Sequence, residues 1–388
     1  MLRTRGIAQG LHSPLVGRVT RDPFNSAPHH FLLTEGTPDV DVLGFGAVLS
    51  TTLAVPASLR MPIVYGIMSL HHLEEGDLVS LDTSGSINTQ YRVNSQHNFL
   101  LATERCNSNC LMCSQPPKDR DDVPYLMHIH RQLLPLIPKS CPELGITGGE
   151  PTLLGEQFFE LLALCKEHLP TTELHCLTNG RTFANRRFAE RLGELELTQL
   201  MLGIPLYADH YQLHDYIVQA SGAFDQTVRG LHNLAYANQR VEIRIVLHKL
   251  SVPRLVKLAH FIYKNLPFVE HVTFMGLENT GYTPHNIEKL WIDPADYVEE
   301  LTEAVEFLAA FRIHVSIYNH QLCILPPSLW QFARQSISDW KNIYLDACSG
   351  CTVQSQCGGF FASCGNRHSQ YIKPITIQHS IESSLVLN

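Results

Sequence analysis

Three cysteines within eight residues are the feature of this sequence best suited to chemistry: Cys106-Asn107-Ser108-Asn109-Cys110-Leu111-Met112-Cys113. Disulfides take cysteines in pairs and a closed structural zinc site takes four ligands. A set of three therefore leaves one position open. A cube of four irons and four sulfides held by three thiolates has that property, because one iron then lacks a protein ligand. A zinc ion completed by a residue from elsewhere is the other reading of the same spacing. Thiolates this crowded repel one another and are costly to desolvate unless a cation holds them.

A second stretch, Gly145-Ile146-Thr147-Gly148-Gly149-Glu150-Pro151, ends the next strand-like run. Gly148 and Gly149 lack the Cβ that would keep a backbone away from a ligand. The Glu150 carboxylate can accept hydrogen bonds from an ammonium group, and Pro151 stiffens the exit toward a helix. A third group is Cys348-x2-Cys351-x5-Cys357, with Cys323 upstream or Cys364 downstream as the fourth member. Four such thiols suit zinc or a second [4Fe–4S] cluster. Cys141, Cys165 and Cys176 lie in apolar segments and read as core thiols. Among the 21 histidines, the pairs at 29–30, 71–72, 128/130 and 210/214 are not joined by a second ligand pair, and no chemistry is assigned to them.

These residues need a scaffold. Residues 1–96 carry short apolar runs (DVLGFGAVLS, PIVYGIMSL, DLVSLD, INTQYRV) parted by turn signals, as in a small β-rich domain of hairpins. From residue 97 strand-like runs at 98–103, 144–147, 174–178, 200–206, 241–248 and 271–277 alternate with helical ones at 156–168, 183–193, 223–238, 253–265 and 295–311. Near-continuous apolar strands of this kind predict a parallel sheet covered by helices. Periodicity fits a six-unit curved sheet, part of a barrel, as well as a flat doubly wound one. The cysteine loop follows the first of these strands, at the edge where active sites gather in parallel α/β sheets. Residues 97–320 form this α/β domain. Beyond Ile313 the pattern breaks down: HVSIY reads as a strand, and a small Cys-rich domain is expected over 321–388, running through a Trp-rich connection.

Composition bounds the function. Of 388 residues 44% are apolar and 17% charged, and 29 basic against 37 acidic side chains give a net charge of −8. No basic run suits a nucleic-acid backbone, and no apolar run of membrane-spanning length or signal-peptide form is present. Eleven cysteines without an export signal fit metal ligands and buried thiols of a cytoplasmic protein.

Taken together, CNSNCLMC and GGEP resemble the C-x3-C-x-Φ-C loop and the SAM-binding strand of the radical S-adenosylmethionine (SAM) superfamily, over roughly residues 97–320. The resemblance implies an α/β fold with a partial (β/α)6 TIM-like barrel. It implies that Cys106, Cys110 and Cys113 hold a [4Fe–4S] cluster whose fourth iron takes the amino and carboxylate groups of SAM. One electron then yields methionine and a 5′-deoxyadenosyl radical that removes hydrogen from a substrate. Φ is usually aromatic, and here it is Met112, whose thioether can fill that place near the adenine. By the same resemblance Gly148, Gly149, Glu150, Pro151, Thr178, Asn179 and Gly276 contact SAM. Arg244 either pairs with the SAM carboxylate or forms a structural salt bridge, since a buried arginine wants a partner. Tyr207 either faces the substrate or caps the core.

The C-terminal cysteines resemble SPASM and twitch auxiliary-cluster domains, which often take one ligand from well before the C-x2-C. That favours Cys323 over Cys364 as the fourth ligand beside Cys348, Cys351 and Cys357. The whole chain, including LGIPLYADHYQLHDYIVQASGAFDQTVRG and CSGCTVQSQCGGFF, looks like the HxsC-type maturases of His-Xaa-Ser peptide systems. This implies a substrate peptide with His-Xaa-Ser repeats, a second radical SAM maturase, and an electron donor such as flavodoxin or ferredoxin. The N-terminal domain would be a scaffold or would dock the peptide, with strand addition to a sheet edge as one mode. A radical SAM enzyme acting on a small molecule or nucleoside is the alternative, and a zinc-binding interaction protein without catalysis a remote one.

Overall fold

Turn chemistry and β-branched runs in the first ninety-odd residues build one sheet whose two ends meet. In the computed structural model, which describes residues 2–36, 42–55, 61–335, 342–365 and 367–376, eight strands form it. They are β1 (Arg3–Arg5), β2 (Ile7–Gln9), β3 (Leu15–Thr20), β4 (His30–Thr34), β5 (Ala47–Ser50), β6 (Ile63–Tyr65), β7 (Leu78–Leu81) and β8 (Ser86–Tyr91), in the order β1-β8-β7-β3-β4-β5-β6-β2. β7 and β8 make the expected hairpin, with Asp82 Oδ1 accepting from the Ser84 and Ser86 N–H groups at 2.8 and 3.1 Å. β3, β4, β5 and β6 instead pair in parallel, so hairpins account for only part of the domain. Val19, Phe31, Leu49, Val64, Leu81 and Ile87 form its core.

The first and last strands of that order belong to one segment, 3–9: β1 pairs with β8 while β2 pairs with β6. The sheet therefore closes through its own N-terminal segment, and among the described residues it offers no long open edge. Strand addition, expected as one docking mode for this domain, depends on such an edge and is not supported.

The second sheet has seven strands in the order β15-β14-β13-β12-β11-β10-β9. These are β9 (Asn98–Leu101), β10 (Glu143–Thr147), β11 (Glu173–Leu177), β12 (Leu200–Pro205), β13 (Arg240–Leu247), β14 (His271–Gly276) and β15 (His314–Tyr318). The pairings β9–β10, β10–β11 and β11–β12, and then β13–β14 and β14–β15, are all parallel. Strands join in chain order without the reversal that defines a doubly wound sheet, so that alternative is set aside. Between them run α1 (Val123–Leu133), α2 (Glu156–His168), α3 (Arg186–Glu194), α4 (Tyr211–Val218), α5 (Ala223–Tyr236), α6 (Leu255–Asn265), α7 (Ile287–Leu290) and α8 (Val298–Ala310). α1 and α4 were not expected from periodicity. Asp215 on α4 accepts from the Gly222 and Phe224 N–H groups at 2.6 and 2.8 Å, which caps the start of α5.

By internal packing the chain divides into two units, Met1–Asn107 with Pro117–Gly203 and Tyr236–Arg240, and Ser108–Pro116 with Ile204–Ala235 and Val241–Asn388. Neither 96/97 nor 320/321, the expected domain limits, is a boundary between them. In the Cys-rich region β16 (Asn342–Ile343) pairs antiparallel with β17 (Phe360–Phe361). Residues 336–341 of the Trp-rich connection and the tail 377–388 lie outside the described residues. No helix among the described residues is long and apolar enough to cross a membrane.

Candidate active site

In the first unit, the stem of the cysteine loop is pinned by a residue that drew no attention in the sequence. The Asp122 carboxylate, 6% exposed, accepts the Thr103 hydroxyl at 2.6 Å and the Glu104 N–H at 2.7 Å. It stands at the N-cap of α1 without capping it, so its oxygens are free to reach back to the stem. The end of β10 then docks on the same stem: the Gly149 N–H donates to the Thr103 carbonyl at 2.7 Å and the Glu150 N–H to the Arg105 carbonyl at 2.8 Å. A Cβ on Gly148 would stand 2.3 Å from the Thr103 carbonyl oxygen, and one on Gly149 2.1 Å from that of Arg105. The close approach that these glycines permit is made to the chain's own loop.

Glu150 is fully buried. Its Oε1 accepts from the Thr152 N–H at 3.1 Å, the Thr152 hydroxyl at 2.6 Å and the Thr178 hydroxyl at 2.6 Å, and its Oε2 accepts from the Asn179 N–H at 2.6 Å. The carboxylate expected to face an ammonium group therefore ties the ends of β10 and β11 together, and Oε2, with one donor, keeps room for a second. Pro151 follows as the first residue of a short 3-10 turn, Pro151–Leu154, and is buried there. The Asn179 side chain reaches the cysteine loop, donating to Asn107 Oδ1 at 2.6 Å and lying 4.0 Å from Cys106 Sγ. Nothing in the sequence marked Asn107, since a single asparagine in a polar loop has no periodic or spacing signal.

In the second unit, Cys110 and Cys113 lie on a segment held by backbone bonds. The Asn109 and Leu111 N–H groups donate to the Val218 and Ile217 carbonyls at 3.0 Å each, the Tyr282 N–H to the Cys113 carbonyl at 2.9 Å, and the Asn286 amide to the Leu111 carbonyl at 2.9 Å. Met112 and Leu111 pack with Tyr207, Ile217, Val218 and Leu290, and Cys110 packs against that cluster. Burial pushes the Cys113 thiol up from its ordinary value. Tyr207 stacks on His214 at 5.8 Å between ring centres, and its N–H donates to His214 Nδ1 at 3.2 Å. Burial raises the Tyr207 phenol well above its ordinary value, the neighbouring Cys110 and Cys113 raise it further, and Arg244 acts in the opposite sense. Tyr207 thus sits in the buried cluster that also holds Leu111 and Met112 of the cysteine loop.

Arg244 has its partner on its own strand. Its Nη1 donates to Glu242 Oε1 at 2.9 Å and its Nη2 lies 3.1 Å from Met275 Sδ. Glu242 Oε2 is 3.5 Å from His271 Nδ1, and His271 Nε2 is 3.0 Å from Ser316 Oγ. The structural salt bridge, not a free guanidinium awaiting a carboxylate, is what the strand contains. At Gly276 a Cβ would stand 2.5 Å from the Asn319 carbonyl oxygen, so its lack of a side chain serves the joining of strand ends.

The C-terminal thiols share a neighbourhood. Burial raises the Cys323 thiol, a backbone bond from Lys373 lowers it, and Cys357 and Cys348 raise it again. Tyr344 is raised by burial and then by Cys357, Cys348 and Cys351. The Ile375 N–H lies 3.4 Å from Cys351 Sγ. Cys364 is raised by burial without any contribution from another cysteine, and it lines a cleft with Asn279, Trp291 and Arg367. Among the described residues no group of three or more His, Cys, Asp or Glu stands in ligating arrangement. The donor chemistry at both places, thiols half-buried beside N–H donors, nevertheless fits an iron–sulfur cluster.

A parallel sheet built in chain order, with a thiol-bearing loop after its first strand and a buried glutamate after its second, defines a class of α/β protein that works at the C-terminal ends of its strands. The family model for the Radical SAM superfamily matches residues 100–262. Among curated proteins the chain is 21% identical over 236 residues to the uncharacterized protein MJ0907 of Methanocaldococcus jannaschii, covering 57% of this chain and 73% of that one. It is 30% identical over 152 residues to the Fe-coproporphyrin III synthase of Methanosarcina barkeri, covering 39% of this chain and 36% of that enzyme. Among solved structures, SuiB of Streptococcus suis bound to S-adenosylmethionine has a TM-score of 0.45 at 16% identity, with 64% of this chain and 55% of SuiB covered. Native anSMEcpe with bound AdoMet and Cp18Cys peptide has a TM-score of 0.49 at 16% identity, with 71% and 91% covered.

Proposed function

We propose that the protein is a radical SAM enzyme that modifies a ribosomally made peptide of the His-Xaa-Ser repeat type, on a partial (β/α)6-type barrel carrying a C-terminal auxiliary cluster. The observation that carries the SAM part is the joining of the three-cysteine loop to GGEP through the Thr103 and Arg105 carbonyls. Cys106, Cys110 and Cys113 would hold the first [4Fe–4S] cluster and leave one iron for SAM. When bound, that pair supplies a 5′-deoxyadenosyl radical by one-electron cleavage of SAM, and the radical takes hydrogen from the substrate. This chain's part is to hold the loop through Asp122 and Glu150, and to shield it with Met112 and Tyr207. Glu150 Oε2 has the acceptor capacity for the SAM ammonium group once its surroundings admit it. Thr178, Asn179 and Pro151 stand at the ends of β10 and β11, and Gly276, at the end of β14, is the further SAM contact that the resemblance implies.

Cys323, Cys348, Cys351 and Cys357 would hold the auxiliary cluster. Cys348 and Cys357 both act on the Cys323 thiol, which supports Cys323 as the fourth ligand, whereas no cysteine is among the causes that shift Cys364. The peptide substrate rests on the sequence resemblance to HxsC-type maturases, as do a second maturase and a flavodoxin or ferredoxin donor. The partial match to an Fe-coproporphyrin III synthase favours a small-molecule substrate as the second reading. The test is to incubate the anaerobic, reconstituted protein with SAM, dithionite and a synthetic His-Xaa-Ser repeat peptide, or with an iron tetrapyrrole precursor of iron coproporphyrin III. A mass change in the peptide with 5′-deoxyadenosine supports the first reading, and conversion confined to the tetrapyrrole supports the second.

A further inference from the structure

We propose that Asn179 donates a hydrogen bond to the Cys106 sulfur and, locked by Glu150, sets the reduction potential of the cluster that Cys106 would hold. The inference rests on the function proposed above and concerns only residues of the first unit. The amide has a single orientation, because the Arg181 N–H donates to Asn179 Oδ1 at 3.0 Å and so turns Nδ2 toward the loop. Nδ2 meets Asn107 Oδ1 at 2.6 Å and Cys106 Sγ at 4.0 Å. The backbone beneath it is fixed as well: the Asn179 N–H donates to Glu150 Oε2 at 2.6 Å, and the Gly180 N–H to the Thr178 hydroxyl at 3.2 Å, with Gly180 at φ +76°. Glu150 is fully buried and accepts from four donors, two of them on Thr178 and Asn179, which fixes the turn.

An N–H donor on an iron-bound thiolate favours the reduced cluster, which carries the greater negative charge on its sulfurs, and thereby raises the potential. Asn179 acts on the cluster through Cys106 and is a positioning residue. A merely structural asparagine would leave the potential unchanged.

The experiment is an anaerobic redox titration followed by electron paramagnetic resonance on the reconstituted full chain. A Cys348→Ala/Cys351→Ala background leaves one cluster to titrate. Asn179→Ala should lower the reduced-to-oxidised ratio at fixed potential roughly tenfold, the ratio that corresponds to 59 mV for one electron. Asn179→Asp keeps the acceptor for Arg181 but replaces the donor with a carboxylate, and should shift in the same direction. Asn107→Ala removes only the other acceptor and should titrate with wild type. An unchanged or raised midpoint in either loaded Asn179 variant overturns the proposal. Loss of iron from both also overturns it, because a donor to sulfur is not a ligand. A wild-type chain that binds no iron would instead overturn the proposed function.

Discussion

Glu150→Gln probes the tie on which both the loop and the Asn179 turn depend. The carboxylate serves four donors, three at Oε1 and one at Oε2. A glutamine carbonyl placed at Oε1 leaves its NH2 facing the Asn179 N–H, so one bond to a charged acceptor is lost, about 1.5–3 kcal/mol. The other three weaken from charge-assisted to neutral, at roughly half their former strength. Burying a neutral amide costs less than burying a carboxylate and offsets part of this, leaving a net loss of about 2–3 kcal/mol. Hydrogen exchange of the apo-protein measures it locally. The Thr152 and Asn179 amides should exchange roughly 30- to 150-fold faster, at 1.4 kcal/mol per factor of ten. The Ala102 amide, bonded to the Thr147 carbonyl at 2.7 Å, should keep its wild-type rate. Less than about a threefold change at both reporter amides would refute the role assigned to the carboxylate.

Other perturbations have equally definite outcomes. Gly149→Ala forces a Cβ against the Arg105 carbonyl and should cost about 1–3 kcal/mol in urea denaturation, with reduced iron loading as the second readout. Arg244→Met strands the buried Glu242 and should destabilise by about 3–5 kcal/mol, whereas Glu242→Met/Arg244→Met should recover most of it. Cys323→Ala should lose the auxiliary iron while Cys364→Ala keeps it, measured by iron content in a Cys106→Ala/Cys110→Ala/Cys113→Ala background. Burial lowers His130 to about 4, His248 to about 3 and His320 to about 4, whereas the unfolded chain protonates them near 6.5. The unfolded state thus binds the extra protons, so stability is level above pH 6.5 and falls toward pH 4 by about 1.4 kcal/mol per pH unit for each ring. His320→Gln should reduce that slope by one ring's share in urea midpoints taken at pH 7 and pH 5.5.

The α/β part was legible because its strands are apolar on both faces and its helices are long enough to show their period. The runs at 144–147, 174–178 and 241–248 fall within a residue of β10, β11 and β13. The N-terminal sheet was only half legible. Its hairpin carries a turn signature, but the parallel pairings of β3 to β6 join segments through irregular loops, and nothing local in Leu15–Thr20 says which strand lies beside it. At the site, spacing revealed the cysteines and GGEP but not how they are held. Gly148 and Gly149 stand against carbonyls of the loop stem, and Glu150 has four donors within the chain, none of which the spacing reveals. Asp122 and Asn107 are polar residues whose meaning depends on tertiary neighbours, which no window of sequence contains.

The central claim is that CNSNCLMC and GGEP build a SAM-cleaving iron–sulfur site. Iron content and 5′-deoxyadenosine, measured together on anaerobically reconstituted protein with SAM and dithionite, test it most directly. Wild type should bind about eight irons per chain and form the nucleoside, while Cys106→Ala/Cys110→Ala/Cys113→Ala should keep about four and form none. Folded wild-type protein that binds no iron and releases no 5′-deoxyadenosine would contradict the account.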